Sequence, residues 1–334
     1  MNDFISIIIP AYNLENYIEN TIHNVLSQEY CNFEIVIVND GSKDKTGEIL
    51  DRLAALHPDK LRVIHIPNGG VTNARLTGVR AAKGDWIAFV DGDDLIDPTI
   101  YTTLLRNAQE KNADISHCGY SMVFPSRSVP YHGTGQQLTH NTEEALVQLL
   151  SATLIEPALW NKLYKKELFA ILLDSNLMDR SIKINEDLLM NYYLFREAKR
   201  SVFEDLCLYH YMVHSGSAAN SPINEHLLLD PCRVRKIIME HCIDLPSIYP
   251  LACENYIRQL ITLSTRSVKV SPSLIRPHQK QARKDLRNAL RAQLPSRRSV
   301  RLMGIWAAYL PSSYRWVHSA YSKMRGYDKL YEIK

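Results

Sequence analysis

The stretch Ser6-Ile7-Ile8-Ile9-Pro10-Ala11-Tyr12-Asn13 decides the fold, because a short β-branched run passes directly into polar turn residues. Similar apolar runs occupy residues 34–38, 61–66, 86–90 and 114–123, and another strand is predicted within 202–212. Near-continuous apolar runs are typical of strands that are buried on both faces of a parallel sheet. Apolar residues at helical spacing lie between the first runs. The sequence therefore predicts an α/β fold with a mainly parallel central sheet flanked by helices.

Charge divides the 334-residue chain into two parts. Residues 1–224 carry 19 Lys and Arg against 28 Asp and Glu, whereas residues 225–334 carry 20 against 8. We expect an α/β domain over 1–224, irregular over 126–145, and a basic helical region over 225–334 broken near Pro246, Pro272, Pro295 and Pro311. A basic region is typical of a protein with an anionic partner, although a solvated helix face explains it equally well.

Composition restricts the compartment and the class of protein. The six cysteines form no CxxC pair and no ladder with zinc spacing, so we expect reduced thiols in a cytosolic protein. No charged-then-apolar leader opens the sequence, and secretion is not expected. No run of about 18 apolar residues is present, so any membrane contact is expected at the surface. No aromatic-rich recognition motif accompanies the basic residues, which argues against a nucleic-acid partner.

The acidic tetrapeptide Asp91-Gly92-Asp93-Asp94 follows the predicted strand 86–90. Three carboxylates within four residues repel one another unless a cation lies among them. A hard divalent ion, Mn²⁺ or Mg²⁺, would relieve this repulsion and would neutralise charge on a departing diphosphate. The alternative is a helix start, because acidic residues favour helix N-termini and Asp97-Pro98 follows.

A second polar turn, from Asn39 to Asp44, follows the strand 34–38. In open α/β sheets, ligands bind at the carboxyl edge of the strands, where one carboxylate can accept hydrogen bonds from a ribose or a base. Asp40 is the candidate for that role. Ser42 or Asp44 is expected to cap the following helix, whatever the function.

In order and spacing, these stretches resemble the inverting glycosyltransferases of family two over about the first 95 residues. The resemblance implies the GT-A fold, a Rossmann-like sheet, with the donor half at residues 1–100 and the acceptor half at 101–224. The implied substrates are a nucleotide-sugar donor and a saccharide acceptor. By the same resemblance, Asp40 contacts the base and four residues border the nucleotide: Pro10, Ala11, Tyr12 and Glu15.

The resemblance also implies the residues at the diphosphate. Arg75 is expected near the diphosphate, Asp91 on the ribose side, and Asp93 as the metal ligand. Leu76 departs from the family, whose members commonly have asparagine after the arginine. A polar contact is therefore expected to be missing at that position.

Two further segments are similar to those of family members that build bacterial surface polysaccharides. One is residues 160–169, for which an amphipathic helix is the alternative interpretation. The other is the Glu186-Asp187 pair, the position at which such enzymes place the catalytic base. Asp187 is the first candidate and Glu186 the second, while helix capping is the structural alternative. His214, in a loop resembling the family's closing loop, is a candidate diphosphate contact.

Near the end of the chain, apolar residues recur at near-helical spacing among basic ones. They predict an amphipathic helix that rests on an anionic membrane surface or, equally, packs on the catalytic domain: Leu302, Ile305, Trp306, Tyr309 and Leu310. The acceptor would be within reach of a peripheral enzyme if it is lipid-linked, at the inner face of the cell membrane.

Two other functions are alternatives to sugar transfer. A nucleotidyltransferase would normally carry a Gly-rich phosphate loop after its first strand, and residues 10–13 do not form one. A non-catalytic sugar-nucleotide-binding or scaffold protein of the same fold would be expected to lose carboxylates at the metal or base position. Asp93, Asp94, Glu186 and Asp187 are all retained.

Overall fold

A computed structural model describes residues 3–131, 133–173, 177–214, 223–266 and 272–325 of the chain. It divides the chain into two compact units, residues 1–221 and residues 222–334. The first unit is α/β, and the second consists of helices in its described residues. The central sheet with flanking helices and the helical C-terminal region confirm the predicted fold class.

In the described part of the first unit, one ten-stranded sheet carries the order β3-β2-β1-β4-β9-β6-β10-β5, with β7 paired to β6 and β8 to β10. The strands are β1 (Ile5–Ala11), β2 (Phe33–Asp40), β3 (Leu61–Ile66), β4 (Trp86–Phe89), β5 (Leu95–Ile96), β6 (Ile115–Phe124), β7 (Arg127–Tyr131), β8 (Gln137–Asn141), β9 (Lys162–Lys165) and β10 (Arg200–Met212).

Parallel pairing joins β3, β2, β1 and β4, and also joins β6 to β10. β9 runs antiparallel between β4 and β6. The helices of this unit are α1 (Ile18–Leu26), α2 (Thr46–Leu56), α3 (Val71–Ala81), α4 (Ile100–Lys111), α5 (Thr142–Ser151), α6 (Ala170–Leu173) and α7 (Glu186–Glu197).

β1 and β2 lie inside the sheet, and their apolar side chains are fully buried on both faces. This burial is the physical reason that both strands read as continuous apolar runs rather than as alternating ones. β1, β2 and β4 are mutually parallel, so their carboxyl ends meet at one edge of the sheet. Asp40 ends β2 and Asp91 follows β4, which places both carboxylates at that edge.

One local prediction was wrong. Within residues 126–145, predicted to be irregular, the structure has β7 and β8, because these exposed polar segments gain order by pairing with β6 and β10. The segment 160–169 is not the amphipathic helix that was its alternative interpretation. It forms β9 followed by a 3₁₀ helix at Lys166–Phe169, since Lys162 and Tyr164 complete the sheet between β4 and β6.

The second unit contains α8 (Glu225–His241), α9 (Tyr249–Thr265), α10 (Pro272–Arg291), α11 (Arg298–Tyr309) and α12 (Pro311–Arg325). Pro246 and Pro295 lie between helices, and Pro272 and Pro311 begin helices, as their restricted backbone geometry predicts. Among the described helices of the protein, none combines the length and the apolar character needed to cross a bilayer.

Candidate active site

The turn after β2 is organised around the carboxylate of Asp40. Its two oxygens accept hydrogen bonds from the backbone N–H groups of Gly69 and Gly70, at 2.7 and 2.8 Å. The Asn68 side chain donates to the Asp40 carbonyl oxygen at 2.9 Å. Asp40 is 4% exposed, so the loops after β2 and β3 are fixed to each other at the sheet edge.

The loop after β1 is tied to the loop after β2 by hydrogen bonds in both directions. Asn13 N–H donates to Ser42 Oγ at 3.0 Å, and Lys43 N–H donates to Asn13 Oδ1 at 2.9 Å. Glu15 Oε2 accepts from the Lys45 backbone at 3.0 Å. These bonds fix the loop after β1 to the turn that follows Asp40, and the Tyr12 side chain in that loop is exposed.

Asp44 has a structural role at the start of α2. Its carboxylate accepts hydrogen bonds from the backbone N–H groups of Thr46, at 3.0 Å, and Glu15, at 3.1 Å. One of the two residues predicted to cap this helix therefore satisfies an N–H group of its first turn.

The three carboxylates of the acidic loop have different partners. Asp94 is 1% exposed, and it accepts hydrogen bonds from the Tyr209 hydroxyl and the Met212 N–H, both at 2.8 Å. Burial, then the charges of Asp91 and Asp93, raise the pKa of Asp94 well above its usual range. Asp94 therefore fixes β10 to the acidic loop, whereas Asp91 and Asp93 keep partial exposure.

Asp93 contacts His214, which lies two residues after the end of β10. Nε2 of His214 lies 3.0 Å from Asp93 Oδ2, and the imidazole stacks on the Tyr17 ring with centroids 4.4 Å apart. Burial and the neighbouring Asp91 raise the pKa of Asp93, although His214 opposes the shift. A cavity of about 230 Å³ opens beside this pair, and Asn16, Tyr17 and Phe124 are among its lining residues.

Arg75 connects the acidic loop to α7. Its guanidinium donates to Asp91 Oδ1 and to Glu186 Oε1, both at 3.2 Å, from a residue that is 5% exposed. Burial would lower the pKa of Arg75, but Asp91 and Glu186 outweigh it and raise that pKa. A permanently charged guanidinium thus joins the carboxylates of the two candidate half-sites.

Glu186 and Asp187 begin α7 side by side. Burial, then the charge of Asp187, raise the pKa of Glu186 to about 7, although Arg75 opposes the shift. Burial also raises the pKa of Asp187, against the opposing charge of Arg75. Asp187 Oδ1 accepts a hydrogen bond from the Leu188 N–H at 2.7 Å, so Asp187 satisfies an N–H group in the first turn of α7.

β9 anchors the helix that carries this pair. The Tyr164 hydroxyl donates to Asn191 Oδ1 at 2.7 Å, and Asn191 lies one turn after Asp187 on α7. Lys162, at 1% exposure, donates to the carbonyl oxygens of Glu156 and Ala158. Burial lowers the pKa of Lys162 to about 7. The segment 160–169 therefore supports α7, one turn after the Glu186-Asp187 pair, from inside the protein.

Residues 6–172 match the model of Glycosyl transferase family 2. The chain belongs to glycosyltransferase family 2. The uncharacterized glycosyltransferase EpsJ of Bacillus subtilis (strain 168) is 35% identical over 235 residues, which cover 68% of this chain and 67% of EpsJ. Glycosyltransferase GlyG of Streptococcus pneumoniae serotype 4 is 34% identical over 231 residues, which cover 65% of this chain and 73% of GlyG.

A solved structure gives the same fold. S. aureus TarS in complex with UDP-GlcNAc superimposes with a TM-score of 0.72 at 21% identity, covering 96% of this chain and 91% of that one. The fold of this glycosyltransferase is GT-A. The predicted family resemblance and fold are confirmed by these matches.

Within this family 2 enzyme, the structure brings most predicted residues to one sheet edge. Pro10, Ala11 and Tyr12 lie at the end of β1, next to the turn that holds Asp40. Leu76, where the family commonly has asparagine, is 2% exposed in the apolar interior. Of the loop resembling the family's closing loop, His214 is described and residues 215–217 lie outside the described residues.

Three site residues were missed by the sequence analysis. Tyr209 binds Asp94, Tyr17 stacks on His214, and Lys183 extends over Gly70, where an added β-carbon would lie 2.4 Å from Nζ. Of the three, Tyr17 could have been found from the sequence, because it lies four residues after the polar turn 10–13. Tyr209 and Lys183 come from segments far along the chain, and no local pattern assigns them to this edge.

Proposed function

We propose that the protein transfers one sugar from a UDP-sugar to an acceptor hydroxyl with inversion at the anomeric carbon. The observation that carries this proposal is that Arg75 joins two sets of carboxylates, through Asp91 and Glu186. Asp91 and Asp93 form the donor-side set, and Glu186 and Asp187 form the acceptor-side set. An inverting transfer needs charge stabilisation for the leaving group and a proton acceptor for the nucleophile.

On this proposal, residues 1–100 bind the donor. The exposed Tyr12 ring and the backbone of Pro10 and Ala11 offer a surface for the nucleotide, with Glu15 at its border and Asp40 at the base. UDP is favoured as the nucleoside diphosphate because the structurally similar TarS is in complex with UDP-GlcNAc. A hexose or an N-acetylhexosamine is the proposed sugar.

The donor side fits a divalent ion of the Mn²⁺ or Mg²⁺ type. Among the described residues, no group of three or more His, Cys, Asp or Glu side chains converges into an all-protein metal cage. Mg²⁺ is commonly held by one or two carboxylates and completed by substrate phosphates. Asp93 supplies the carboxylate; burial and then the charge of Asp91 raise its pKa, and a cation would stabilise its charged form. When bound, the ion would neutralise charge on the departing diphosphate.

The protein's own groups then perform a single displacement. The acceptor oxygen attacks the anomeric carbon, the bond from that carbon to the diphosphate oxygen breaks, and the acceptor proton passes to a carboxylate. Asp187 is the proposed base, because the Glu186 carboxylate is already engaged by Arg75. His214 and Arg75 are proposed to contact the diphosphate from the two ends of the acidic loop.

The proposed wider setting rests on the resemblance to family members that build surface polysaccharides and on the C-terminal region. We assign the enzyme to bacterial surface polysaccharide synthesis, such as capsule, exopolysaccharide or O-antigen, with a saccharide acceptor that is lipid-linked. A cytoplasmic enzyme with peripheral contact at the inner membrane face suits such an acceptor. The exposed apolar side chains of α11, which include Leu302, Ile305 and Tyr309, support that contact.

Release of nucleoside diphosphate tests the proposal. The full chain is incubated with Mn²⁺, a panel of UDP-, GDP- and dTDP-sugars, and saccharide acceptors, and the released nucleotide is quantified. Release of UDP from one UDP-sugar, accelerated by an acceptor, is expected. A folded protein that binds a nucleotide-sugar but releases nothing from any of them would favour a non-catalytic sugar-nucleotide-binding or scaffold protein.

A further inference from the structure

The second unit contains a cavity of about 580 Å³ that has no part in the chemistry above. It lies among the end of α9, the first half of α10, the end of α11 and the start of α12. Four cationic side chains line it, and no described carboxylate does: Arg276, Lys280, Arg283 and Arg315.

The cationic side chains of this cavity lack the counter-charges found elsewhere in the unit. Glu254, Asp230 and Glu240 pair with arginines or lysines outside the cavity. Within the described residues, no ion pair involves any of the four cavity cations. Four like charges around one space repel each other, and a bound anion would relieve that repulsion.

Three of the cations lie on one face of α10, and the backbone contributes to the same space. Positions 276, 280 and 283 follow helical spacing, so their side chains share a face. Arg283 donates one of its five N–H groups to the Ser264 carbonyl oxygen at 3.4 Å, which orients the guanidinium. Pro311 and Ser312 line the cavity at the first turn of α12, where the helix dipole is positive.

We propose that this cavity binds the phosphate group of a phosphorylated ligand. Arginine guanidinium and lysine ammonium groups converging with a helix N-terminus suit a tetrahedral anion with several acceptor oxygens. A volume of about 580 Å³ accommodates more than one phosphate. The proposal concerns a unit separate from the candidate active site and does not depend on the transfer reaction.

Two sources could supply the phosphate: a free phosphorylated metabolite or the headgroup of an anionic lipid. Tyr309 lines the cavity at 59% exposure, and Leu302 and Ile305 extend from it along α11 as an exposed apolar stripe. Trp316, 74% exposed, follows Ser312 by one turn on α12. A lipid would use these side chains as well as the cations, whereas a free phosphate would use the cations alone.

Calorimetry and vesicle sedimentation of the full chain test the cavity. Inorganic pyrophosphate is titrated in EDTA, which suppresses metal-dependent binding elsewhere, and vesicles of phosphatidylcholine with and without phosphatidylglycerol are sedimented. The test variant is Lys280→Gln with Arg315→Gln, both exposed side chains. The control is Lys284→Gln with Arg291→Gln, which removes the same charge from exposed positions of α10 that do not line the cavity.

The test variant is expected to weaken binding about tenfold or more, while the control changes it less than about twofold. Pyrophosphate binding lost only in the test variant supports a free phosphate. Binding only to phosphatidylglycerol vesicles, lost in the same variant, supports a lipid headgroup. The proposal is overturned if the wild type binds neither probe, or if the two variants lose binding equally.

Discussion

Glu186 and Asp187 share the first turn of α7, and the charge of Asp187 affects the protonation of the buried Glu186 carboxylate. Burial and the charge of Asp187 raise the pKa of Glu186 to about 7. Below that pH the Glu186 carboxylate takes up a proton and weakens its ion pair with Arg75, so kcat/KM is expected to fall as pH decreases through about 7. The measurement is the pH profile of donor turnover.

The variant Glu186→Gln identifies the origin of that acidic limb. Its side chain cannot ionise, so the limb near pH 7 is expected to move to lower pH, where Asp187 alone titrates. A Glu186→Gln enzyme whose limb stays at its wild-type position would show that another group controls the profile.

Asp187→Asn separates proton transfer from donor binding. The amide cannot accept the proton but keeps the size of the side chain, so kcat is expected to fall by roughly 10²–10⁴ while the Kd for UDP stays within about twofold. Steady-state kinetics and calorimetry give the two values. A comparable loss in both would assign Asp187 a structural role at the start of α7.

The sequence identified the candidate residues of the site better than it identified which of them contact each other. His214 and Asp93 were both assigned to the donor site, and they lie 3.0 Å apart. The contact of Tyr209 with Asp94 spans 115 residues, and that of Arg75 with Glu186 spans 111. Such pairs depend on which distant segments meet in the folded chain, information that short-range patterns do not contain.

Among the elements, the turn after β2 depends most on backbone geometry. Gly41 has φ of +70°, and a β-carbon there would lie 2.8 Å from the backbone nitrogen of Asn68. Gly41→Ala is therefore expected to cost roughly 1–3 kcal/mol in the free energy of unfolding and to weaken donor binding, since Asn68 holds the Asp40 turn. Urea unfolding and UDP titration measure the two effects.

Gly135→Ala is the matched control, because Gly135 has φ of +72° with no atom within 4 Å of the added β-carbon. It carries the same backbone strain without the collision and without a contact to the donor turn. Equal stability losses in the two variants, with donor binding intact in both, would refute the role assigned to the Gly41–Asn68 approach.

The sequence predicted the buried strands well and the exposed ones poorly. The run 34–38 lies inside β2, because continuous apolar character reports burial on both faces. The run 61–66 coincides with β3, a half-buried strand at the end of the sheet order. All five side chains of β7 are exposed, so nothing in its composition separates it from a loop. For the segment 160–169 a helix stayed open as the alternative, because nothing in its sequence shows that Lys162 is buried and satisfied by carbonyl oxygens.

For the molecule as a whole, the second unit has its own charged anchor in Glu254. This 4% exposed carboxylate accepts hydrogen bonds from Arg297 and Arg258, and the Arg297 contact lowers its pKa to about 2. A lowered pKa stabilises the folded state above the unfolded value of 4.5, and that stabilisation is lost as pH falls toward 2.

Glu254→Gln is therefore expected to destabilise the second unit by roughly 1–2 kcal/mol at pH 7 and to flatten its loss of stability in acid. Hydrogen exchange of the α9 amides is the measurement. Glu240→Gln, at a half-exposed pair with Lys236 at 3.7 Å, should change exchange little. If Glu240→Gln has the larger effect, the anchor has been assigned to the wrong residue.

In the whole molecule, donor binding is proposed to depend on a divalent ion that Asp93 holds. The most direct measurement is calorimetric titration of UDP, with Mn²⁺ and with EDTA, into the wild type, Asp93→Ala and Asp187→Asn. We predict Mn²⁺-dependent UDP binding in the wild type and in Asp187→Asn, and a loss of at least about tenfold in Asp93→Ala. UDP binding that is unchanged by EDTA, or by Asp93→Ala, would contradict this account.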